Sequence, residues 1–289
     1  MSGLKRVGLF LLTNFLVIMT LSVIISLLGI RLQNYTGLLV LCAVFGFAGS
    51  LISLLLSKTI VKASYKIQII NPQNASGRVL DLYKAIHQMS QQLGFRTPEV
   101  GIYPSAEVNA FATGASANKA LVAFSQGIVD RLDDDELAAV AGHELSHIGN
   151  GDMITMTLLT GVANTFVMFF ARVLASVIAN SGRDNRGGGL GYFGYYIIVV
   201  LLENVMMLLA YIPISAFSRW REYGADAGAA DLVGAGSMIN ALAKIDRNYV
   251  KSTKKDSFAM AKIENRHLVS LWSTHPSIEA RIKRLQARI

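Results

Sequence analysis

Two stretches of this chain carry no charged residue, Val7 to Ile30 and Leu32 to Ser57. A bilayer core about 30 Å thick is crossed by roughly 20 apolar residues in a helix, so each stretch is long enough to span it. Helix is also the form such a stretch must take there, because lipid offers no partner to an open backbone N–H or C=O. Only the short polar turn Arg31 to Thr36 separates the two, which makes residues 1–57 a transmembrane hairpin. The first stretch is too long for a removable signal peptide and lacks a small-residue cleavage site, so it reads as a retained anchor.

Two later stretches repeat the pattern. Met153 to Gly182 holds one charge, Arg172, and Gly187 to Ser218 holds one, Glu203. The loop signal Arg183-Asp184-Asn185-Arg186-Gly187-Gly188-Gly189 lies between them. Each stretch is long enough to span, which gives about four apolar helices in all; the alternative is a core or half-inserted helix beside a cleft. Residues 153–218 are thus an inserted hydrophobic hairpin that divides the polar part of the chain in two, 58–152 and 219–289.

Composition supports a membrane location. Apolar residues make up 52% and charged residues 16%, against about 25% charged in typical globular domains. The net charge of +8 fits nucleic acid or an anionic membrane surface. The basic residues flank the apolar runs and form no stripe, so the lipid bilayer is the expected partner and nucleic acid is not. Lys5 and Arg6 precede the first run and Lys58, Lys62 and Lys66 follow the second, which places both ends of the hairpin, and the segment after it, in the cytoplasm. The single cysteine, Cys42, excludes an intramolecular disulfide and a cysteine-based zinc site. It reads as a small apolar filler.

The polar part alternates in type. Ser76 to Leu93 has helical apolar spacing and stops at Gly94. Pro98 to Pro104, Val108 to Thr113 and Ala120 to Ser125 read as strands, the last two joined by a turn. Helices follow over Asp133 to Gly149, around Glu222, over Ser237 to Val250 and from Ser277 to the end. The class is α+β, mostly helical, with a small sheet.

His143-Glu144-Leu145-Ser146-His147 has the H-E-x-x-H spacing. Residues four apart share a helix face, so two imidazoles can reach one ion. Asp133 and Glu136 supply a capping box for that helix. Leu137, Val140, Ala141, Leu145 and Ile148 give it a buried face, and Gly149 and Gly151 end it. Zinc lowers the pKa of a bound water to about 7, and Glu144 stands where a general base would take its proton. Glu144 can then pass that proton to the leaving amine.

A catalytic zinc needs a third protein ligand and one open position. His87 lies on the Ser76–Leu93 helix and reads as a surface or satisfied histidine; His267 sits in a mixed segment without a nearby partner. Glu222 is the better candidate, in a segment that opens a helix directly after an apolar run. Asp226, four residues on, shares its face and can accept the outer ring N–H of a ligating histidine. The small residues Gly224, Ala225, Ala227, Gly228 and Ala229 argue for close helix packing there.

At these residues the chain resembles the HtpX-type membrane zinc endopeptidases, cousins of the CAAX-prenyl proteases. The resemblance covers essentially the whole chain. It is carried by the amino-terminal hairpin, Asn109-Ala110-Phe111-Ala112-Thr113-Gly114, His143 through Asp152, Ser218 through Ala227, and Thr274-His275-Pro276. It implies a gluzincin-like metalloprotease domain with one Zn2+ per chain held by His143, His147 and Glu222, Glu144 as general base, and Asp226 behind the ligands. It further implies a protein of the bacterial inner membrane, here multi-pass, and the positive flanks put its active site on the cytoplasmic side. There it would act in stress-linked quality control on damaged or misfolded membrane proteins.

Three assignments go with these. The strand of Asn109, Ala110, Phe111 and Ala112 would be an edge strand that pairs with an extended substrate; the alternative is an ordinary core strand. His275 can donate to the oxyanion of the reacting carbonyl, or serve structurally before Pro276. Arg219 competes for that donor role, or pairs with Glu222 or Asp226. Two other readings of the chain are a non-catalytic zinc scaffold, which fits poorly without cysteines, and a transporter. In the transporter Arg172 and Glu203 would be functional intramembrane charges; otherwise they form a structural bridge. The Arg183–Gly189 loop and Lys251–Lys255 are the expected places for self-cleavage.

Overall fold

The computed structural model describes residues 35–181, 191–253 and 273–289. The first apolar run, the Arg183–Gly189 loop, His267 and the last two residues of Lys251–Lys255 lie outside the described residues. Contacts within the chain divide it into two units. One takes in the chain up to Leu51 together with Leu158–Tyr211; the other takes in Ile52–Thr157 and Ile212–Ile289.

Three described helices are long and apolar enough to cross a membrane. They are α1 (Tyr35–Tyr65), α5 (Asp152–Ser181) and α6 (Gly191–Val233). Their outward apolar residues have no protein cover: Val40, Val44, Phe166, Phe170, Leu201 and Leu208 are all exposed. A helix apolar on every side and left uncovered is suited to lipid. Within the first unit, α1 and α5 approach closely at two glycines. A Cβ on Gly46 would meet the Thr165 backbone at 2.9 Å, and one on Gly161 would meet the Phe47 ring at 2.8 Å. Small residues at such crossings let helices pack where no hydrophobic effect drives them together.

The second unit is built on a four-stranded sheet in the order β1-β2-β4-β3, with β1 at Gln68–Ile69, β2 at Glu99–Tyr103, β3 at Ala110–Thr113 and β4 at Leu121–Ser125. β4 runs parallel to β2, with Glu99 opposite Leu121, and antiparallel to β3, with Ala110 opposite Phe124. Every residue of β4 is buried, as expected of a central strand covered on both faces. β3 is an edge strand. The two-residue β1 and a short helix α3 (Gln126–Arg131) add to the elements expected from sequence.

Helix α2 (Gly77–Gln92) and helix α4 (Asp134–Gly149) pack against each other, and α4 also lies on β3 and β4. α4 starts as its sequence predicts. Asp133 accepts from the Glu136 N–H at 2.9 Å, and Glu136 Oε2 accepts from the Asp133 N–H at 2.8 Å. Leu137, Val140, Ala141, Leu145 and Ile148 enter the core with Ile86, Phe124, Met238 and Leu242. Helices α7 (Ala235–Thr253) and α8 (Ile278–Gln286) complete the unit and pack on each other.

One expectation needs correction. The segment around Glu222 does not open a helix; it lies inside α6, which runs unbroken for 43 residues. The onset of charge at Arg219 marks the end of the apolar surface, not of the hydrogen-bonded backbone. The alanine-rich stretch that follows is a strong helix former.

Candidate metal centre

Two helices bring the candidate residues together, and small side chains set how closely. A Cβ on Gly228 of α6 would lie 2.4 Å from Ser146 Oγ on α4, and one on Gly142 would touch Ala229 at 3.5 Å. At this crossing His143 and His147 on α4 face Glu222 and Asp226 on α6. Nitrogen and oxygen atoms of His143, His147 and Glu222 all lie within 4.8 Å of one another, the one such cluster among the described residues.

The outer ring nitrogens decide which inner atoms are free. His143 Nδ1 lies 3.0 Å from Asp226 Oδ1, and His147 Nδ1 lies 2.6 Å from Asp152 Oδ2. A carboxylate accepts an N–H, so each Nδ1 carries the proton in the neutral ring and each Nε2 keeps its lone pair. Those two Nε2 atoms point at Glu222, 3.5 Å from its Oε2 and 3.4 Å from its Oε1. Glu222 is 1% exposed, and its Oε2 accepts no hydrogen bond although His275 Nδ1 is 2.9 Å away. A buried carboxylate oxygen left without a hydrogen bond costs free energy unless something else satisfies it. Two imidazole lone pairs and that oxygen are a donor set that fits a divalent metal ion.

Without a metal the same groups hold protons. Burial alone would lower the His143 pKa, but the Asp226 and Glu222 carboxylates outweigh it and hold it above its ordinary value. His147 is likewise lowered by burial and raised further by Asp152 and Glu222, reaching about 9. Cation binding and proton binding therefore compete at one place.

Asp152 and Arg281 have no role in the reading from sequence. Gly151, at φ +68°, makes the turn that ends α4 and starts α5, a conformation that favours glycine. That turn brings Asp152 back beside His147. Arg281 lies on α8, whose N-terminus is capped by Ser277 accepting from the Ala280 N–H at 3.2 Å. Its guanidinium grips Asp226 with two bonds, Nε to Oδ2 at 2.8 Å and Nη2 to Oδ1 at 2.6 Å. Burial opposes the Arg281 charge, yet Asp226 and Glu222 raise its pKa. One signal for Arg281 was available: it sits with Ile278, Ile282 and Leu285 on the inward face of an amphipathic helix, where a charge needs a buried partner.

The remaining candidates fall in different places. Glu144 is half-buried on the turn of α4 that carries His143 and His147. His275 reaches the centre through its Glu222 contact, with 64% of its side chain exposed. Arg219 donates to the Ser273 carbonyl at 2.7 Å, and Ser273 Oγ donates to the His275 carbonyl at 2.6 Å. Arg219 thus braces the turn that carries His275, while Arg281 lies beside Glu222 and Asp226. Ala110, Phe111 and Ala112 form the half-buried edge strand β3, and Asn109, just before it, donates its N–H to Ser125 Oγ at 3.1 Å. His87 is exposed and bonds Thr97 at 2.7 Å and Gln91 at 3.1 Å, as a satisfied surface histidine does.

A helix carrying His-Glu-x-x-His, a distant glutamate on a crossing helix, and carboxylates behind both histidines define a metallopeptidase. Residues 78–289 match the model of peptidase family M48, and the chain belongs to that family. It is 45% identical to a protein named Protease HtpX from Stenotrophomonas maltophilia, over 98% of each chain. It is 44% identical to a Protease HtpX from Idiomarina loihiensis, over 99% of this chain and all of the relative. A third Protease HtpX, from Aeromonas hydrophila, is 45% identical over 98% of this chain and all of the relative. Among solved structures, S. mikatae Ste24p shares the fold, with a TM-score of 0.64 at 18% identity over 97% of this chain and 63% of that one.

Proposed function

We propose that the chain is a zinc-dependent endopeptidase of the bacterial inner membrane that cleaves damaged or misfolded membrane proteins on the cytoplasmic side. The observation that carries this reading is the separation of the inner ligand atoms. Zinc–nitrogen and zinc–oxygen bonds of about 2.0–2.1 Å in a tetrahedron imply ligand–ligand edges of roughly 3.3–3.4 Å. The two Nε2-to-carboxylate distances, each to a different Glu222 oxygen, are 3.5 and 3.4 Å, close to such an edge, which supports a zinc ion at these residues. His143, His147 and Glu222 would hold it and leave one position open.

When bound, zinc supplies a Lewis acid and a water of lowered pKa. The chain's own groups do the rest. Glu144, next to the first ligand on the same turn, is placed to take the water's proton and to deliver it to the leaving amine. His275, exposed and next to Glu222, is placed to donate to the oxyanion, where a preorganised donor contributes most. Asp226 and Asp152 hold the imidazoles in the ligating tautomer. β3 presents a free strand edge, which suits an extended substrate segment bound by strand addition. The family and the relatives named Protease HtpX support peptide-bond hydrolysis, and Lys58, Lys62 and Lys66 at the C-terminal end of α1 support the cytoplasmic side.

The test is Glu144→Gln in the full chain, purified in detergent micelles. It should keep about one zinc per chain by elemental analysis and lose cleavage of an unfolded membrane-protein substrate. Folded, zinc-loaded wild type that cuts no protein would overturn the reading.

A further inference from the structure

Behind the metal centre the second unit contains a cavity of about 680 Å³ that the peptidase chemistry does not use. His143, His147, Glu144, Glu222 and His275 are not in its wall. Its wall includes Arg221, Arg281, Arg284 and Arg288, set against Asp152 and Asp226, with Phe217, Trp220 and Tyr223 at the apolar side. The two acids are already engaged: Asp226 by Arg281 at 2.6 Å and Asp152 by His147 at 2.6 Å. Positive charge is therefore in excess.

The arginines are unevenly satisfied. Arg221 Nε is buried without a hydrogen bond, and its nearest carboxylate, on Asp152, is 3.9 Å from Nη1. The Arg284 guanidinium lies over the Tyr223 ring, 4.6 Å from its centroid. Arg288 bonds Asp231 at 2.7 Å and stays 41% exposed. Planar guanidinium forks of this kind match phosphate oxygens.

The position of the cavity identifies the carrier of the phosphate. Asp152 and Thr155 begin α5 where its apolar stretch starts. Phe217 and Trp220 stand where the apolar stretch of α6 ends, their rings 5.6 Å apart. Trp220 is 65% exposed, and an exposed Trp at that point on a spanning helix marks the headgroup level. We propose that this cavity is a binding site for a phosphate-bearing anion, the headgroup of an anionic phospholipid, with Arg221, Arg284 and Arg288 on the phosphate and Trp220 in the interface. Its volume lies within the range of about 300–1,000 Å³ typical of small-molecule sites. The inference rests on the membrane reading of α5 and α6 but not on catalysis.

The test uses the full chain in nanodiscs of phosphatidylcholine doped with spin-labelled phosphatidylglycerol. Wild type should immobilise more of the labelled lipid than Arg284→Ala/Arg288→Ala, by severalfold at low doping. Arg284→Lys should fall between, because it keeps charge but loses the fork and the stacking. Circular dichroism and zinc content, unchanged in all three proteins, separate a lost site from a lost fold. Trp220→Ala, which leaves the arginines of the cavity in place, gives a second reading if the double variant does not fold, and should also reduce retention. Inorganic phosphate at millimolar concentration should fail to displace the lipid. Full displacement by phosphate would assign the site to a free anion and overturn the headgroup assignment. Equal retention by wild type and the variants would overturn the site itself. Loss of proteolysis in Glu144→Gln leaves all of these outcomes unchanged, so the two readings fail separately.

Discussion

Arg172 and Glu203 are buried to 2% and 7% exposure within the apolar helices, and Nη1 of the arginine bonds Oε1 of the glutamate directly. His143, Glu222 and Asp226 are buried to a similar depth in the second unit, at 7%, 1% and 2% exposure. The two regions use the same kind of side chains differently. In the first, the charges close directly on each other, and Arg172 Nη1 also donates to the Met168 carbonyl at 2.9 Å, while its Nη2 is left without a hydrogen bond. In the second, the outer atoms are paired, Asp226 with Arg281 and Asp152 with His147, while the inner nitrogens of His143 and His147 face the two Glu222 carboxylate oxygens at 3.5 and 3.4 Å. A closed pair is a structural element; a paired rim around unsatisfied donors is a place for a cation. The transporter reading would require the first region to behave like the second, and its geometry argues for a bridge.

The largest expected effect is at the centre. Glu222→Ala removes a proposed ligand and should abolish both stoichiometric zinc binding and proteolysis, read by elemental analysis and a gel-based cleavage assay. Glu203→Leu should leave both intact and act on stability instead. Removing one partner of a buried pair strands the other charge and costs about 3–5 kcal/mol, whereas replacing both with apolar residues is often neutral. Arg172→Leu/Glu203→Leu should therefore unfold near the wild-type temperature in detergent, and Glu203→Leu well below it. Proteolysis lost in Glu203→Leu at unchanged stability would break the comparison.

Acidity should separate the regions as well. The folded, metal-free pKa of His147 is raised to about 9, above the unperturbed value of about 6.5. The stabilisation from its protonated form is fully present below about pH 6.5 and is lost as pH rises through about 9. Zinc binding runs the opposite way, because the ion must displace that proton. Apparent zinc affinity should rise by about tenfold per pH unit across this window for each proton released, measured by competition with a chelator of known pH dependence. A flat profile would mean that the ligating nitrogen is already free. Next in size are the supporting carboxylates: Asp152→Asn or Asp226→Asn should weaken zinc binding by about 10–100-fold without removing a ligand.

The parts legible in sequence are those set by local periodicity. The H-E-x-x-H spacing, the capping box and the apolar face of α4 all lie within one helix, so the pattern alone located His143, Glu144 and His147. Glu222 and Asp226 were legible as a pair four residues apart with small neighbours, and the Gly228–Ser146 contact is the physical counterpart of that composition. Their helix boundary was not legible, because the change from apolar to charged surface at Arg219 looks like a start and the backbone ignores it. Arg281 was hidden for a different reason. It comes 55 residues after Asp226, and no local pattern ties a buried arginine to a particular distant acid. Arg219, closer in sequence to Glu222, was legible as a rival oxyanion donor or a partner for Glu222 or Asp226, and it donates to the Ser273 carbonyl. Asp152 was hidden by the turn at Gly151, whose positive φ redirects the chain by an amount that composition does not specify.

The smallest expected effect concerns how α4 is held. Asp133 and Glu136 satisfy each other's backbone N–H groups at the start of that helix, and Lys244 of α7 bonds Glu136 at 2.6 Å. The box lies two to three turns from His143, at the opposite end of α4 from the ligands. Asp133→Ala removes one cap and should cost about 1 kcal/mol, seen as a modest fall in unfolding temperature. Because the metal-facing turn is fixed separately, by the α6 crossing and the Asp226 and Asp152 clamps, zinc affinity and turnover should stay at wild-type values. A matched loss of zinc affinity would show that the paired rim depends on the far end of α4. The centre would then be less like an independent cage than its distances imply.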